Sequence, residues 1–336
     1  MVDGAASIAV RGDGIAARCC AHLLSSAGIA VAFASERRPR LSAIMVGAAT
    51  QKLFADVFDT HDLFAGMRRI DRRVVSWGPG ATPLTMPHFA AVVNENLLFE
   101  RIPTVPAAAS SSPLDWSIIA SGSLPGIAIP QAVGSRVAFA VPVELRDPAA
   151  SSTCWMESLS AGWLFLLPDS DQTAWLIGTK NVDECLRESR LVADQIGAQL
   201  AEATNFAAHP RIAWPLASET WLACGTAALG FDPLCGDGSG HAVREGILAA
   251  AVVRAACRGE DRSALAAHYR TRLLAGFKRH LEQCVDFYST GGTDVWWQAQ
   301  TQALREGLVW CELQLAQAPP FRYRLIDFDL HLIDNV

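Results

Sequence analysis

Charge is scarce in this chain. Of its 336 residues, 18% are Asp, Glu, Lys or Arg while 51% are hydrophobic, and the formal net charge is -6. The basic residues are scattered, which removes the electrostatic footprint that a nucleic acid or an anionic membrane surface requires. No C-x-x-C pair occurs among the nine cysteines, so neither a zinc ribbon nor a thioredoxin motif is written here. Buried, reduced thiols are the expectation, with Cys19 and Cys20 as small packing residues. The stretch before Arg11 lacks both a basic patch and a long apolar run, which predicts a cytoplasmic protein without a secretory signal. Spanning a bilayer takes about 20 apolar residues. The most apolar later stretch, 246–257, is shorter and contains Arg254, so no membrane helix is expected. No internal repeat is visible, and the composition excludes disorder as the main state.

What is present begins with a strand at 7–10, a glycine turn at 11–14, a helix at 15–27 and a strand at 29–34, a βαβ unit. Leu53, Phe54, Val57 and Phe58 recur at helical spacing and predict a helix over 49–58. Gly78, Pro79, Gly80, Pro83 and Pro87 break the stretch 72–92 into short strands, and a helix follows over 94–101. The Pro-, Ala- and Ser-rich stretch 102–114 reads as an exposed loop. Apolar runs at 116–120, 137–143, 155–159, 162–167 and 173–178 predict a mid-chain sheet, and 221–224 a further strand. Leu186, Leu191, Val192, Ile196 and Leu200 predict one helix over 182–204. Helices are expected over 240–258, 263–288 and 294–317.

Two glycine-rich turns carry chemistry. Gly12-Asp13-Gly14-Ile15-Ala16-Ala17 is the G-x-G-x-x-A form of a dinucleotide fingerprint, placed between a strand and a helix as that chemistry requires. Its glycines let backbone approach a pyrophosphate, and the helix N-terminus supplies partial positive charge. Glu36 stands at the end of the second strand, where a carboxylate would hold the ribose of an adenosine. The second turn runs Cys224-Gly225-Thr226-Ala227-Ala228-Leu229-Gly230-Phe231-Asp232-Pro233-Leu234-Cys235-Gly236-Asp237-Gly238-Ser239-Gly240-His241-Ala242, and such a loop aims backbone N–H groups at a ligand.

This second stretch resembles the second FAD motif of the flavoprotein monooxygenases related to p-hydroxybenzoate hydroxylase, in the glutathione-reductase-like class, and of the flavin-dependent halogenases. Their pattern is G-D-A-A, then D-P-x-x-G-x-G and a helix. Pro233, Gly236 and Gly238 match, and Thr226 departs from the usual aspartate that bonds the ribityl chain, which implies a weakened contact. The resemblance implies an FAD cofactor held by Gly12, Gly14, Ala17, Glu36 and Arg37 from the first motif. From the second motif it implies Thr226, Asp232, Pro233, Gly236, Asp237, Gly238, Ser239 and Gly240. Arg37, Arg38 and Arg40 read either as cofactor contacts or as a solvated charge run.

Trp163-Leu164-Phe165-Leu166-Leu167-Pro168 is similar to the halogenase W-x-W-x-I-P pattern, which makes Trp163 and Phe165 a pocket wall or a buried aromatic strand. No counterpart of the halogenase catalytic lysine is evident, Lys52 being the nearest candidate. His88, after Pro87, and His241 are implied pocket residues; His241 is the better candidate of the two, and His88 reads more readily as an exposed or structurally bonded histidine. The tail, with His280, Cys284, Phe287, Tyr288, Trp296 and Trp297, resembles flavoprotein maturases of quinone-cofactor oxidases, of the glycine or lysine oxidase type. Trp77, Trp155, Trp163, Trp296, Trp297 and Trp310 serve either core packing or partner anchoring. Arg322, Tyr323, Arg324, Asp327, Asp329 and Asp334 form an interaction arm or a simple extension.

The fold class expected is α/β, with a discontinuous Rossmann-type FAD-binding domain (1–60, 97–125 and 216–260), a β-sheet substrate domain (61–96 and 126–215) and a helical C-terminal region (261–336). The family's usual β-rich crossover has only 102–115 to occupy, so it is shortened or absent. The function implied is monooxygenase-like oxidation or hydroxylation of an aromatic side chain, tryptophan, of a partner protein during quinone-cofactor maturation. NAD(P)H or a separate reductase would supply electrons. The alternatives are a small-molecule aromatic hydroxylase or halogenase, and a non-catalytic partner-binding scaffold. No general acid or base and no metal site is assigned.

Overall fold

The structure is a computed structural model that describes residues 7–36, 38–104, 116–126 and 128–333. Arg37, Asp334 and most of the predicted exposed loop therefore lie outside the described residues. Strand Ser7–Arg11 buries Ile8 and Val10 and pairs in parallel with Ala30–Ala34 and Trp116–Ile119. Trp221–Ala223 adds a fourth parallel strand beside Trp116–Ile119. Four strands separated widely in sequence thus form one parallel sheet, as buried βαβ architecture demands.

Helices Ile15–Ser26 and Gly238–Cys257 pack closely. A Cβ on Gly246 would come within 2.6 Å of the Ala16 carbonyl oxygen and 3.0 Å of Cys19 Cβ. The small Cys19 and Cys20 side chains are fully buried at this contact, and burial pushes both thiols far up. Among the described residues no cysteine forms a disulfide. No helix there is long and apolar enough to cross a membrane.

The second sheet has nine strands. Its centre is the antiparallel set Val137–Leu145, Thr173–Thr179, Gly162–Pro168 and Thr153–Leu159, register-locked through pairs such as Phe165↔Met156 and Phe165↔Ile177. Arg68–Ser76 runs parallel to Thr153–Leu159, then pairs with Leu84–Val93, and Ile44–Gly47 closes that side. The predicted short strands over 72–92 are instead two long ones joined across Gly78 and Gly80, both at positive φ.

One expected helix is much shorter than its apolar pattern suggests. Val182–Glu188 is helical, after which the chain passes through the short 3-10 turn Ala193–Gln195 into the strands Ile196–Gln199 and Thr204–Ala207. The cause is Glu157. Its buried carboxylate accepts hydrogen bonds from Ser189 Oγ and from the backbone N–H groups of Arg190, Leu191 and Val192, which would otherwise serve the helix. Val192 and Ile196 still reach a core, the one built under the nine-stranded sheet.

Helices Arg262–Gly291 and Val295–Ala316 form an antiparallel pair. Gly291 and Gly292 make room for Trp297, which is fully buried and donates its indole N–H to Leu159 O at 3.0 Å. Trp297 therefore serves the core, with Trp77 and Trp296 packed edge-on to it. The tail is a hairpin, Tyr323–Ile326 with Asp329–Leu332. It is fastened by Asp329 to Arg254 and Arg258, so within the described residues it is a docked extension.

Candidate functional site

A cavity of about 480 Å³ opens between the two sheets, a size suited to a small organic ligand or cofactor. One side is backbone: Gly14 to Ala17, Gly225, Gly236 and Gly238. The other is apolar, with Trp163, Phe165, Leu167 and Ile177 from the antiparallel strands. Phe206 and Arg211 complete the lining on a third edge.

Two long helices begin at this cavity. Ile15–Ser26 starts after Gly14 and Gly238–Cys257 after Asp237, and neither has a side-chain cap on its first N–H groups. Those donors are left for a ligand, and the two dipoles favour negative charge between them. The glycines suit close approach. A Cβ at Gly238 would meet nothing within 4 Å, and one at Gly14 would meet only the Arg38 guanidinium at 3.4 Å. Gly12 turns the chain at φ +109, where a Cβ would strike Ser121 Oγ at 2.7 Å; it shapes the turn without lining the cavity.

Behind the first turn lies a charge cluster. Asp13 is buried and paired bidentately with Arg40, accepts a bond from Ser35 Oγ at 3.0 Å and lies 4.0 Å from Arg38. Burial pushes its carboxyl up, but these hydrogen bonds and the charges of Arg40 and Arg38 outweigh that and hold it below the usual carboxylate range. Arg38 also grips the buried Glu95, and both residues line the cavity. Of the basic cluster seen in the sequence, Arg40 is a structural partner of the turn and Arg38 a cavity residue. Glu36 does not line the cavity. It sits at the sheet end, accepting from Ser121 Oγ at 2.7 Å and from Arg11 at 3.4 Å.

The second turn is anchored from behind by a buried network. Asp232 accepts from Arg136 at 2.8 and 3.1 Å, from Tyr288 Oη at 2.9 Å and from the Leu234 N–H at 3.0 Å. Burial pushes its carboxyl up, against the pull of the Arg136 charge. Tyr288 Oη in turn accepts from Trp163 Nε1 at 3.1 Å, which links the network to the cavity wall. His280 Nε2 accepts the Asp232 N–H at 2.9 Å. Burial brings His280 down to about 3, so it is a neutral acceptor.

Of the residues singled out in the sequence, Gly14, Ala17, Thr226, Asp232, Pro233, Gly236, Gly238, Ser239, Trp163 and Phe165 converge on the cavity. Asp237 and Gly240 do not. Asp237 bonds Thr50 Oγ1 and Arg244, and Gly240 is a packing glycine beside Asp237 and Thr50. The two histidines expected in the pocket lie elsewhere. His241 stacks on Phe231 at 4.0 Å, and burial lowers it to about 4. His88 is bonded to Arg73 at 3.0 Å on the strand Leu84–Val93, and burial and the Arg73 charge lower it. No residue of that strand lines the cavity, and Phe89, Ala90 and Ala91 border a different one.

Glu245 was not legible in the sequence. It lines the cavity from within the helix Gly238–Cys257 and accepts the Gly225 N–H at 2.6 Å, beside Thr226. Thr226 spends its hydroxyl on Ala120 O at 3.3 Å. A carboxyl group is thus present next to the position where the flavoprotein motif carries aspartate, supplied by the following helix. No spacing rule predicts that substitution.

No protein-family model and no curated protein matches the chain. Its fold is nevertheless shared with solved flavoproteins. The peptidyl tryptophan dihydroxylase QhpG, described as essential for tryptophylquinone cofactor biogenesis, superposes with TM-score 0.71 at 20% identity over 88% of this chain and 78% of that one. The flavin-dependent halogenase CmlS gives TM-score 0.75 at 17% identity, over 94% and 72% of the two chains. A Klebsiella pneumoniae HpxO variant complexed with FAD gives TM-score 0.60 at 16% identity, over 94% and 99%. The chain has the α/β fold of the FAD-dependent hydroxylases and halogenases.

Proposed function

We propose that this chain is an FAD-dependent, monooxygenase-like oxidoreductase that oxidises or hydroxylates a tryptophan side chain of a partner protein during quinone-cofactor maturation. The observation that carries the reading is the cavity itself, with two uncapped helix N-termini facing an aromatic wall of Trp163 and Phe165. These residues fit FAD. The first helix N-terminus and Arg38 suit the pyrophosphate, while the glycine floor at Gly236 and Gly238 leaves room for a flat ring. In this reading residues 1–60, 97–125 and 216–260 bind the cofactor, 61–96 and 126–215 face the substrate, and 261–336 brace the second turn.

FAD, when bound and reduced, supplies the O2 chemistry. This chain's residues place the ring and keep its surroundings dry. Trp163, Phe165, Leu167 and Ile177 exclude water from the face opposite the glycines. The helix Gly238–Cys257 presents its positive end where negative charge on a reduced ring would collect. Glu245 and Thr226 stand where a ribityl chain would pass, Glu245 in the place of the missing aspartate. Electrons come from NAD(P)H or a separate reductase. No lysine lines this cavity among the described residues, and Lys52 lines a separate one, which favours hydroxylation over halogenation.

The test is visible absorption of the purified protein with and without added FAD, followed by turnover with reduced flavin on a quinone-cofactor oxidase precursor and on free tryptophan, indole and phenol. Flavin bands and oxidation of the precursor alone are expected. Robust turnover of a free ring would make the chain a small-molecule hydroxylase. Failure to bind FAD at high micromolar concentration would make it a partner-binding scaffold.

A further inference from the structure

The turn Pro233–Cys235 meets the helix Arg262–Gly291 through sulfur as well as through the Asp232–His280 hydrogen bond. Cys235 Sγ lies 3.5 Å from Cys284 Sγ, and Cys284 Sγ lies 3.4 Å from His280 Nε2. Three donor atoms within 4.8 Å of one another would suit a thiophilic ion. The His280 Nε2 lone pair, however, is already engaged by the Asp232 N–H at 2.9 Å. A metal would find two sulfurs and no third donor. What remains is a dithiol in van der Waals contact, one member half-buried and the other buried.

We propose that Cys235 and Cys284 form a modification site, a dithiol that peroxide converts to a disulfide. Closing from 3.5 Å to a bonded distance of about 2.05 Å needs a movement that side-chain rotation and a small shift of the turn can supply. Cys235, the accessible thiol, attacks one oxygen of hydrogen peroxide. The O–O bond breaks, and the departing oxygen leaves as water with the thiol proton, giving a sulfenic acid. The Cys284 sulfur then attacks the Cys235 sulfur, the S–O bond breaks, and the oxygen leaves as water with the Cys284 proton. Two thiols lose two electrons and one peroxide becomes two waters. The order follows from the surroundings: its hydrogen bond with Cys235 and its burial keep Cys284 protonated until the second step.

Pro233 and Gly236 flank Cys235 and line the cavity. A bond to Cys284 draws the turn toward the helix and away from the cavity. The site itself is independent of the cofactor assignment; its effect on FAD rests on that reading, in which flavin that reacts with O2 unproductively is a source of peroxide.

The experiment uses the full chain, reduced and then treated with hydrogen peroxide without added flavin. Denatured thiols should fall from nine to seven. A non-reducing tryptic digest should join peptide 212–244 to peptide 280–305, reversibly with dithiothreitol. Cys235→Ser and Cys284→Ala should each abolish the link. Retention of all nine thiols, over-oxidation of Cys235 alone, or a link that persists in Cys235→Ser through Cys224 would overturn the proposal. FAD titration of the two redox forms should give a severalfold weaker affinity for the oxidised one. If the link forms and neither form binds FAD, the dithiol stands and the cofactor reading fails.

Discussion

Glu245 and Gly225 are joined by a 2.6 Å hydrogen bond from the backbone N–H to a fully buried carboxyl. Burial pushes that carboxyl from 4.5 up to about 8, so the folded chain holds its proton more tightly than the unfolded chain does. Below pH 4.5 both states are protonated and the site costs nothing. As pH rises from there toward 8, stability falls by about 1.4 kcal/mol per unit, and above 8 the loss levels off. Glu245→Gln keeps an acceptor for Gly225 and removes the titration. The melting temperature of the variant, relative to the parent, should therefore climb with pH across this window. A difference that stays flat from pH 5 to 9 would refute the buried-carboxyl account.

Gly238 and Gly246 lie on the same helix and should respond oppositely to enlargement. At Gly238 a side chain meets open space on the cavity side. Gly238→Leu is expected to melt like the parent while losing FAD binding in a fluorescence titration. At Gly246 the Ala16 carbonyl and Cys19 leave no room, so Gly246→Ala should cost about 1–3 kcal/mol in urea unfolding. Unaltered FAD binding in Gly238→Leu would remove the floor of the proposed site.

Glu157 should prove to be a folding determinant despite its charge. It accepts three backbone N–H bonds and one hydroxyl bond where the chain leaves the helix Val182–Glu188. Glu157→Ala strands those donors, at about 1–3 kcal/mol for each that stays buried and unpaired. A loss of several kcal/mol in urea unfolding is expected, and a change below about 1 kcal/mol would mean that water replaces the carboxylate freely.

The βαβ opening and both glycine turns were legible because local sequence dictates them: Gly12 needs positive φ, and Ile8 and Val10 alternate with smaller residues on a buried strand. The helices after residue 238 were legible as well, although Gly238–Cys257 is buried on every side from Gly246 to Val253 and has no single apolar face. What stayed hidden depends on partners distant in sequence. The pattern over 182–204 has helical spacing, and only the Glu157 carboxylate, 32 residues before Ser189, ends the helix early. Glu245 and Glu95 gave no signal either, since an acidic residue within a helix reads as solvated until its burial is known. His241 sits next to the cavity residue Ala242 but turns its ring onto Phe231, and the strand that carries His88 does not reach the cavity at all; neither placement is fixed by position in a motif.

Arg136 and Asp232 are both completely buried, with 2.8 Å between charged atoms. Removing one charge leaves the other without water or partner, so Arg136→Met should cost about 3–5 kcal/mol in urea unfolding. Asp232→Asn still offers an oxygen to the Leu234 N–H but leaves Arg136 with only Gln300 and the Tyr288 ring. It too should be strongly destabilised. The double variant abandons neither charge and should lose clearly less than the sum of the two. Tyr288→Phe tests the outward branch, since it breaks the link from Asp232 to Trp163 without unpairing the ions. Its cost should be only about 1 kcal/mol, yet FAD affinity should fall, because the indole loses the contact that fixes its orientation on the cavity wall. Additive losses in the two ion-pair variants would refute the coupling, and a Tyr288→Phe protein with the parent's flavin affinity would show that the network supports the fold and leaves the site untouched.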